Sequence, residues 1–204
     1  MLMKDFCSIC KRLANEERMD VLRVVMCASE AGLTVNDIAD GLHIGQSATS
    51  QYLKQLAEEC GLVKAKREGR YVVYTVAPAI GVWREIIPAM IGYFRRECAG
   101  RTFVNGKRPA APGFIRLLPA LANVDRLKIV KFLRRTRNAT KVEIMEATKL
   151  TEINVRRHLL VIAESGLVNL GETQMVLGKE KASYGSIEWL DPTDEIAQLF
   201  LGAI

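Results

Sequence analysis

Two histidines, His43 and His158, are all the imidazole that 204 residues contain, so acid–base catalysis by that group has few places to occur. No phosphate-cradling glycine loop, dinucleotide fingerprint, zinc-protease motif or nucleophile elbow stands in its required context, and the expectation is a protein without enzyme activity. Cysteine is scarce and odd in number. Five residues without framework spacing exclude a disulfide scaffold and suit reduced thiols. Long apolar runs are missing as well: the longest apolar neighbourhood, residues 86–94, falls short of the roughly 18 residues needed to span a bilayer. Lys4, Asp5, Lys11 and Arg12 interrupt the N-terminus before a secretory apolar stretch can develop. A soluble cytoplasmic chain with no membrane partner is therefore expected.

A strong excess of one charge is also lacking. Lys and Arg number 29 against 23 Asp and Glu, a formal net charge of +6, which favours a polyanionic partner without requiring one. The excess divides as fourteen basic against twelve acidic residues over 1–104 and fifteen against eleven over 105–204. Position must matter more than the total.

What is present is a duplication. Leu13, Ala14, Asn15, Arg18, Val21 and Leu22 recur as Leu121, Ala122, Asn123, Arg126, Ile129 and Val130, and Gly61, Leu62, Val63 recur as Gly166, Leu167, Val168. Residues 100–113 between the copies hold Gly106, Pro109 and Pro112 beside Lys107 and Arg108, a composition that resists helix and central strand and reads as a linker. The division expected is 1–99, 100–113 and 114–204.

In the first copy, Asn15 can cap a helix with Met19, Leu22, Val25 and Met26 on its inward side. Thr34 and Asp37 have capping-box spacing, with Asp where Glu is usual, before Ile38 and Ala39. A short second helix ends near Gly41, and a third runs from about Gln46 to Glu59, burying Ala48, Tyr52, Leu53 and Leu56. After Gly61 the period turns extended: residues 62–67 and 70–76 flank Glu68 and Gly69 as a hairpin. Pro78 opens a further helix to about Cys98, in which Ile80, Trp83, Ile87, Met90, Ile91 and Phe94 form an apolar stripe and Pro88 introduces a bend. The second copy repeats this order: residues 114–121 form a first helical stretch, Asn123 caps a helix, Thr140 and Glu143 form a capping box, and Thr151 stands where the third helix begins. Residues 167–177 and 186–190 read as the strands of a second wing, whose loop residues Gly178, Lys179, Glu180 and Lys181 nearly cancel in charge. The fold expected is mainly α with small β hairpins, as two tandem winged helix-turn-helix modules.

Asp37, Ile38, Ala39, Leu42, Ile44, Gln46, Ser47, Ser50, Tyr52, Leu53, Leu56, Gly61, Leu62 and Val63, followed by a charged hairpin, resemble the ArsR family of transcriptional repressors. The resemblance covers sixty to seventy residues of the first copy. It implies a dimeric winged-helix repressor that releases DNA on sensing a metal or another stimulus. The family has His where this chain has Tyr52, a residue the second copy restores as His158. It also places one residue fewer between the Leu53 position and Gly61, so the chain has an extra residue within 57–60.

A helix fits the major groove of duplex DNA, where Gln46, Ser47, Thr49, Ser50 and Gln51 at the start of the third helix would reach base edges. His43 in the preceding turn and Lys54 one turn later suit backbone contact, and Lys64, Lys66, Arg67 and Arg70 bring positive charge to the wing. Alone, a charged hairpin is ordinary solvated surface; its order after a capped helix and a polar third helix argues for DNA. Asn154, Arg156 and Arg157 are the corresponding candidates in the second module, set against a structural or sensing role there. Tyr52 and His158 read as core-edge residues.

No metal or cofactor is required. Cys7 and Cys10 have CxxC spacing, and with Cys98 they could hold a soft metal ion or act as a thiol redox signal, against the plainer reading of structural cysteines. The family's own metal sites have no counterpart here. The surplus apolar stripe predicts a homodimer through the N-terminal helix, with Phe6, Ile9 and Leu13, and the helix over 79–98; cover from residues 114–121 and from Ile196, Leu199 and Phe200 is the intramolecular alternative. The alternative to a DNA-binding regulator is a protein-interaction adaptor built on the same modules.

Overall fold

The computed structural model describes residues 3–81, 83–98, 113–171 and 186–204. By its contacts the chain forms two compact units, one of Arg12–Ala111 and the other of Met1–Lys11 with Pro112–Gly202. Among the described residues no helix is long and apolar enough to cross a membrane.

The first unit begins with the end of α1 (Met3–Leu13) and with α2 (Glu16–Cys27). The Asn15 side chain accepts from the Arg18 amide at 2.8 Å, and Glu16 and Glu17 in the first turn complement the positive helix start. Met19, Leu22, Val25 and Met26 are buried as the spacing predicts. A two-residue strand, β1 (Leu33–Thr34), precedes α3 (Val35–Leu42). The capping box forms in full: the Asp37 amide donates to Thr34 Oγ1, and the Thr34 amide donates to Asp37 Oδ2 at 2.8 Å. The turn to α4 (Gln46–Lys54) passes through His43 in the left-handed region, φ 54°.

The extra residue has a visible consequence. The third helix does not end at Lys54 but widens into a π turn over Gln55–Glu59, closed by the Cys60 amide on the Gln55 carbonyl at 3.1 Å. One added residue is absorbed as an i→i+5 loop, which keeps Leu53 and Leu56 both fully buried. The matching helix of the second copy is regular.

Strands β2 (Val63–Glu68) and β3 (Tyr71–Val76) pair antiparallel, Glu68 opposite Tyr71. Gly69, φ +62°, takes the first position of the two-residue turn, as such hairpins require. The sheet order is β1-β3-β2; the edge strand β1 escapes a sequence reading because two residues carry no period. Its signal is Gly32, φ +75°, where a Cβ would stand 2.6 Å from Val73 Cγ1 and 2.7 Å from the Tyr74 carbonyl oxygen.

Helix α5 (Trp83–Cys98) packs on α2 and contains Pro88. It starts five residues later than Pro78 suggests. Gly81 adopts φ +56°, which breaks the chain away from helical geometry, and Ile80 is left outside the helix, 73% exposed.

In the second unit a 3-10 turn (Gly113–Leu117) leads into α6 (Leu118–Leu121), α7 (Val124–Thr136), β4 (Asn138–Ala139), α8 (Lys141–Thr148) and α9 (Glu152–Glu164). Asn123 accepts from the amides of Asp125 and Arg126, and Thr140 and Glu143 make the capping box. Strands β5 (Val168–Leu170) and β6 (Ile187–Trp189) complete a sheet ordered β4-β6-β5. The expected strand over 167–177 is described only to 171, and the wing residues Gly178 to Lys181, like the linker over 100–112, lie outside the described residues.

Helix α10 (Glu195–Gly202) closes this unit with α1. Phe200 stacks on Phe114 at 6.1 Å between centroids and meets Phe6 at 6.3 Å. The N-terminal residues through Lys11 thus group with the second module, where the sequence placed them with the first. Aromatic surface on α1, with no partner identifiable from local spacing, finds it almost two hundred residues away.

Candidate nucleic-acid interface

The outward face of the first module's third helix is almost wholly polar. Gln46, Ser47, Ser50, Gln51 and Lys54 are exposed, whereas Thr49, Leu53 and Leu56 point inward and are fully buried. Thr49 corrects the sequence reading: at 0% exposure, its hydroxyl donates to the Gly45 carbonyl at 3.1 Å. It braces the first turn and presents nothing to a groove. Gly45 leaves the helix start without a side-chain cap, so the first amides remain open for an anionic oxygen. His43 is exposed in the turn beside them.

The helix is held from behind by a polar network. Tyr52 donates to Glu17 Oε2 at 2.5 Å, the Arg18 guanidinium lies 5.5 Å from the Tyr52 ring centre, and Arg18 also donates to the Arg12 carbonyl. Arg12 pairs with Glu59 in the π turn. Arg18 is only 9% exposed, and burial together with the nearby Arg12 lowers its pKa against the pull of Cys60 and Tyr52. Tyr52 is therefore a positioning residue at the edge of the core, as its pattern suggested. Cys60 beside it has its pKa pushed up to about 11, by burial first, with the Arg18 charge opposing.

The wing is exposed along Lys64, Lys66, Arg67 and Arg70. One feature was not legible in the charge count: Lys66 donates to Glu68 Oε1 at 2.8 Å, a bond that raises the Lys66 pKa and leaves that cation partly satisfied. Lys54 is 3.9 Å from Glu58, with both side chains well exposed, a pair worth little.

The second module differs on the same surface. Arg156 and Arg157 are exposed and Asn154 is half-buried, but Glu152 stands where Gln46 stands in the first copy and pairs with Lys141 at 2.5 Å. Ile153 and Leu160 are 70% and 45% exposed, at the places of Ser47 and Lys54. His158, the counterpart of Tyr52, has its pKa lowered by burial and then by Arg126. Its Nδ1 and the Arg126 Nε are buried without a hydrogen-bond partner among the described residues.

The cysteines do not gather into a metal site among the described residues. Cys7 and Cys10 are both buried on α1, and burial raises the Cys7 pKa despite Arg126, which disfavours the thiolate that metal binding and redox exchange need. The Cys98 side chain lies outside the described residues.

Two stretches, residues 18–65 and 123–169, match the family described as bacterial regulatory protein, arsR family. Each module contains one of these ArsR-type stretches. No curated protein matches the chain. The first ArsR match runs from Arg18 into β2 and takes in the capping box, the turn at His43 and all of α4; the second covers the same elements of its module, from Asn123 into β5. The matches support a DNA-binding transcription regulator.

Proposed function

We propose that the protein is a sequence-specific repressor on double-stranded DNA, with the first ArsR module as its reader. The observation that carries this reading is the contrast between two equivalent helices: α4 exposes Gln46, Ser47, Ser50, Gln51 and Lys54, all polar, beside a cationic wing, while α9 sets the exposed Arg156 and Arg157 among an acid, Glu152, and two large apolar residues, Ile153 and Leu160. Gln46 and Gln51 can pair bidentately with adenine, and the serines can serve bases or phosphates. Lys54, His43, Lys64, Arg67 and Arg70 would hold the backbone, with Lys66 contributing less while Glu68 engages it. Arg156 and Arg157 of the second module supply phosphate contacts at most. The family resemblance and simple occupancy support repression, since a protein seated in the groove excludes others; the cytoplasm is where it would act.

Release by an effector is part of the same proposal, but buried Cys7 and Cys10 are poor sensors, and a thiol-based signal is the weaker choice. The test is titration of promoter fragments from the source genome at two salt concentrations. Tight binding to one fragment that weakens with salt supports the repressor. Absence of binding to every fragment, in reducing and oxidising buffer alike, leaves the adaptor reading, for which exposed Ile153 and Leu160 are the supporting observation.

A further inference from the structure

The second module carries a cleft with no lining residue on its third helix, α9. It opens between α7 and the C-terminal end of α8, has a volume of about 280 Å³, and is lined by Lys128, Lys131, Phe132, Arg135, Ala147 and Thr148. Positions 128, 131, 132 and 135 fall at helical intervals of three and four, so their side chains share one face of α7. Lys128 is engaged by Asp125 at 2.7 Å. Among the described residues Lys131 and Arg135 pair with no carboxylate, and the Arg135 guanidinium lies 5.9 Å from the centre of the Phe132 ring. Thr148 is buried and donates its hydroxyl hydrogen to the Ile144 carbonyl at 2.6 Å, which leaves its oxygen an acceptor.

The first module shows that the fold does not require this arrangement. Aligned by the duplication, Lys128, Lys131, Phe132, Arg135 and Thr148 correspond to Asp20, Arg23, Val24, Cys27 and Leu42. There Asp20 and Arg23 pair at 2.5 Å, and the Arg23 side chain is only 3% exposed. The same scaffold position carries unneutralised positive charge and an aromatic ring in the second copy, where the first has an internal ion pair and Val24. A merely solvated helix face calls for neither the ring nor the cleft.

We propose that this cleft binds a small planar organic anion, its ring against Phe132 and its carboxylate or phosphate on Lys131 and Arg135. The volume lies near the lower limit of ligand pockets, about 300–1,000 Å³, which fits one ring better than a nucleotide. None of the lining residues belongs to α9, so occupancy leaves that helix free.

Isothermal titration of the full chain, backed by saturation-transfer NMR, tests this with phenyl phosphate, benzoate and neutral benzamide. An anion should bind one to one and benzamide at least tenfold more weakly. Lys131→Gln and Arg135→Gln, both at exposed positions, should each weaken the anion by up to about fivefold and leave benzamide unchanged, while Phe132→Leu should weaken both. Binding of phenyl phosphate alone assigns the site to phosphate monoesters; binding of benzoate as well assigns it to organic anions at large. Equal affinity for benzamide, unchanged affinity in both glutamine variants, or no binding of either anion at millimolar concentration overturns the proposal. Loss of DNA affinity in the Lys131→Gln/Arg135→Gln double variant without any probe binding also overturns it, and places these cations on a phosphate backbone.

Discussion

Glu68→Gln should make the protein bind DNA more tightly and with a steeper salt dependence. The wing carries Lys64, Lys66, Arg67 and Arg70 against a single acid, and that acid accepts from Lys66 at 2.8 Å. Each phosphate neutralised on duplex DNA adds about 0.9 to the slope of log K against log salt. A cation already satisfied by a carboxylate contributes only part of this. Freeing Lys66 should therefore steepen the slope by up to about 0.9, which over a fourfold rise in salt, from 50 to 200 mM, amounts to roughly a 3.5-fold additional loss of affinity. The same logic orders the alanine variants: Arg67→Ala should flatten the slope by about 0.9, Lys66→Ala by less, and Lys66→Ala in the Glu68→Gln background by the full amount. Fluorescence anisotropy on a labelled duplex across a potassium chloride series reads all four, and because the effect is independent of sequence it needs no known operator. If Arg67→Ala flattens the slope while Glu68→Gln leaves it unchanged, the 66–68 pair does not face phosphate. If no wing variant moves it, the wing is not on the DNA at all.

Gln51→Ala should lower the preference for operator over random duplex by roughly 1–3 kcal/mol, whereas Thr49→Val should leave it unaltered because that hydroxyl is spent on Gly45; equal losses on both duplexes would move Gln51 to the backbone. Thr34→Ala and Thr140→Ala each remove one capping box and should cost about 0.5–2 kcal/mol in urea denaturation, with no change at either site meaning that the caps do not hold α3 and α8. His158 has a depressed pKa in the folded chain, caused first by burial and then by Arg126 and Arg157, with Asp125 opposing. Unfolded chains then bind the extra proton first, so stability should fall as pH drops below the unfolded value of about 6.5, and His158→Gln should flatten that profile; an identical profile in the variant would refute the assignment.

Much of this architecture was legible because its signals are local. Capping boxes at Thr34 and Thr140, caps at Asn15 and Asn123, and the switch of period after Gly61 each depend on residues within one or two turns, and each is found where the spacing puts it. The extra residue before Gly61 was countable, but its outcome as a π turn was not, since a loop of the same length would have fitted the sequence equally well. Thr49 was misplaced for a related reason: threonine among serines and glutamines looks polar, yet at position four of the helix it can satisfy its own hydroxyl on Gly45 and turn inward. Lys66 is the converse, a cation whose partner lies two residues away along one strand face, where alternation would have revealed it. The packing of Phe6 with Phe114 and Phe200 had no local signal.

That packing decides how the oligomeric state should be predicted. A homodimer is expected where apolar surface exceeds what a small module closes, namely on α1 with Phe6, Ile9 and Leu13 and on α5 with Trp83, Ile87, Met90, Ile91 and Phe94. All but the half-buried Ile91 are buried within one chain, none of those seven more than 7% exposed. Of the expected stripe only Ile80 stands out in solvent, and it lies outside the helix. Obligate homodimers bury roughly 2,000 Å² or more of largely apolar surface, and the remaining exposed large hydrophobics among the described residues are Tyr71 and Val72 on the wing and Val142, Ile153, Leu160 and Leu190 in the second unit, none of them on α1 or α5. Sedimentation velocity at micromolar concentration should accordingly give a mass near 22.7 kDa, with two ArsR modules brought to the duplex by one chain. Substituting Met90 should then unfold the monomer and not dissociate a dimer, at a cost of about 2–5 kcal/mol for Met90→Ala. A species of twice the mass that Met90→Ala converts to a folded monomer would return α5 to a subunit interface.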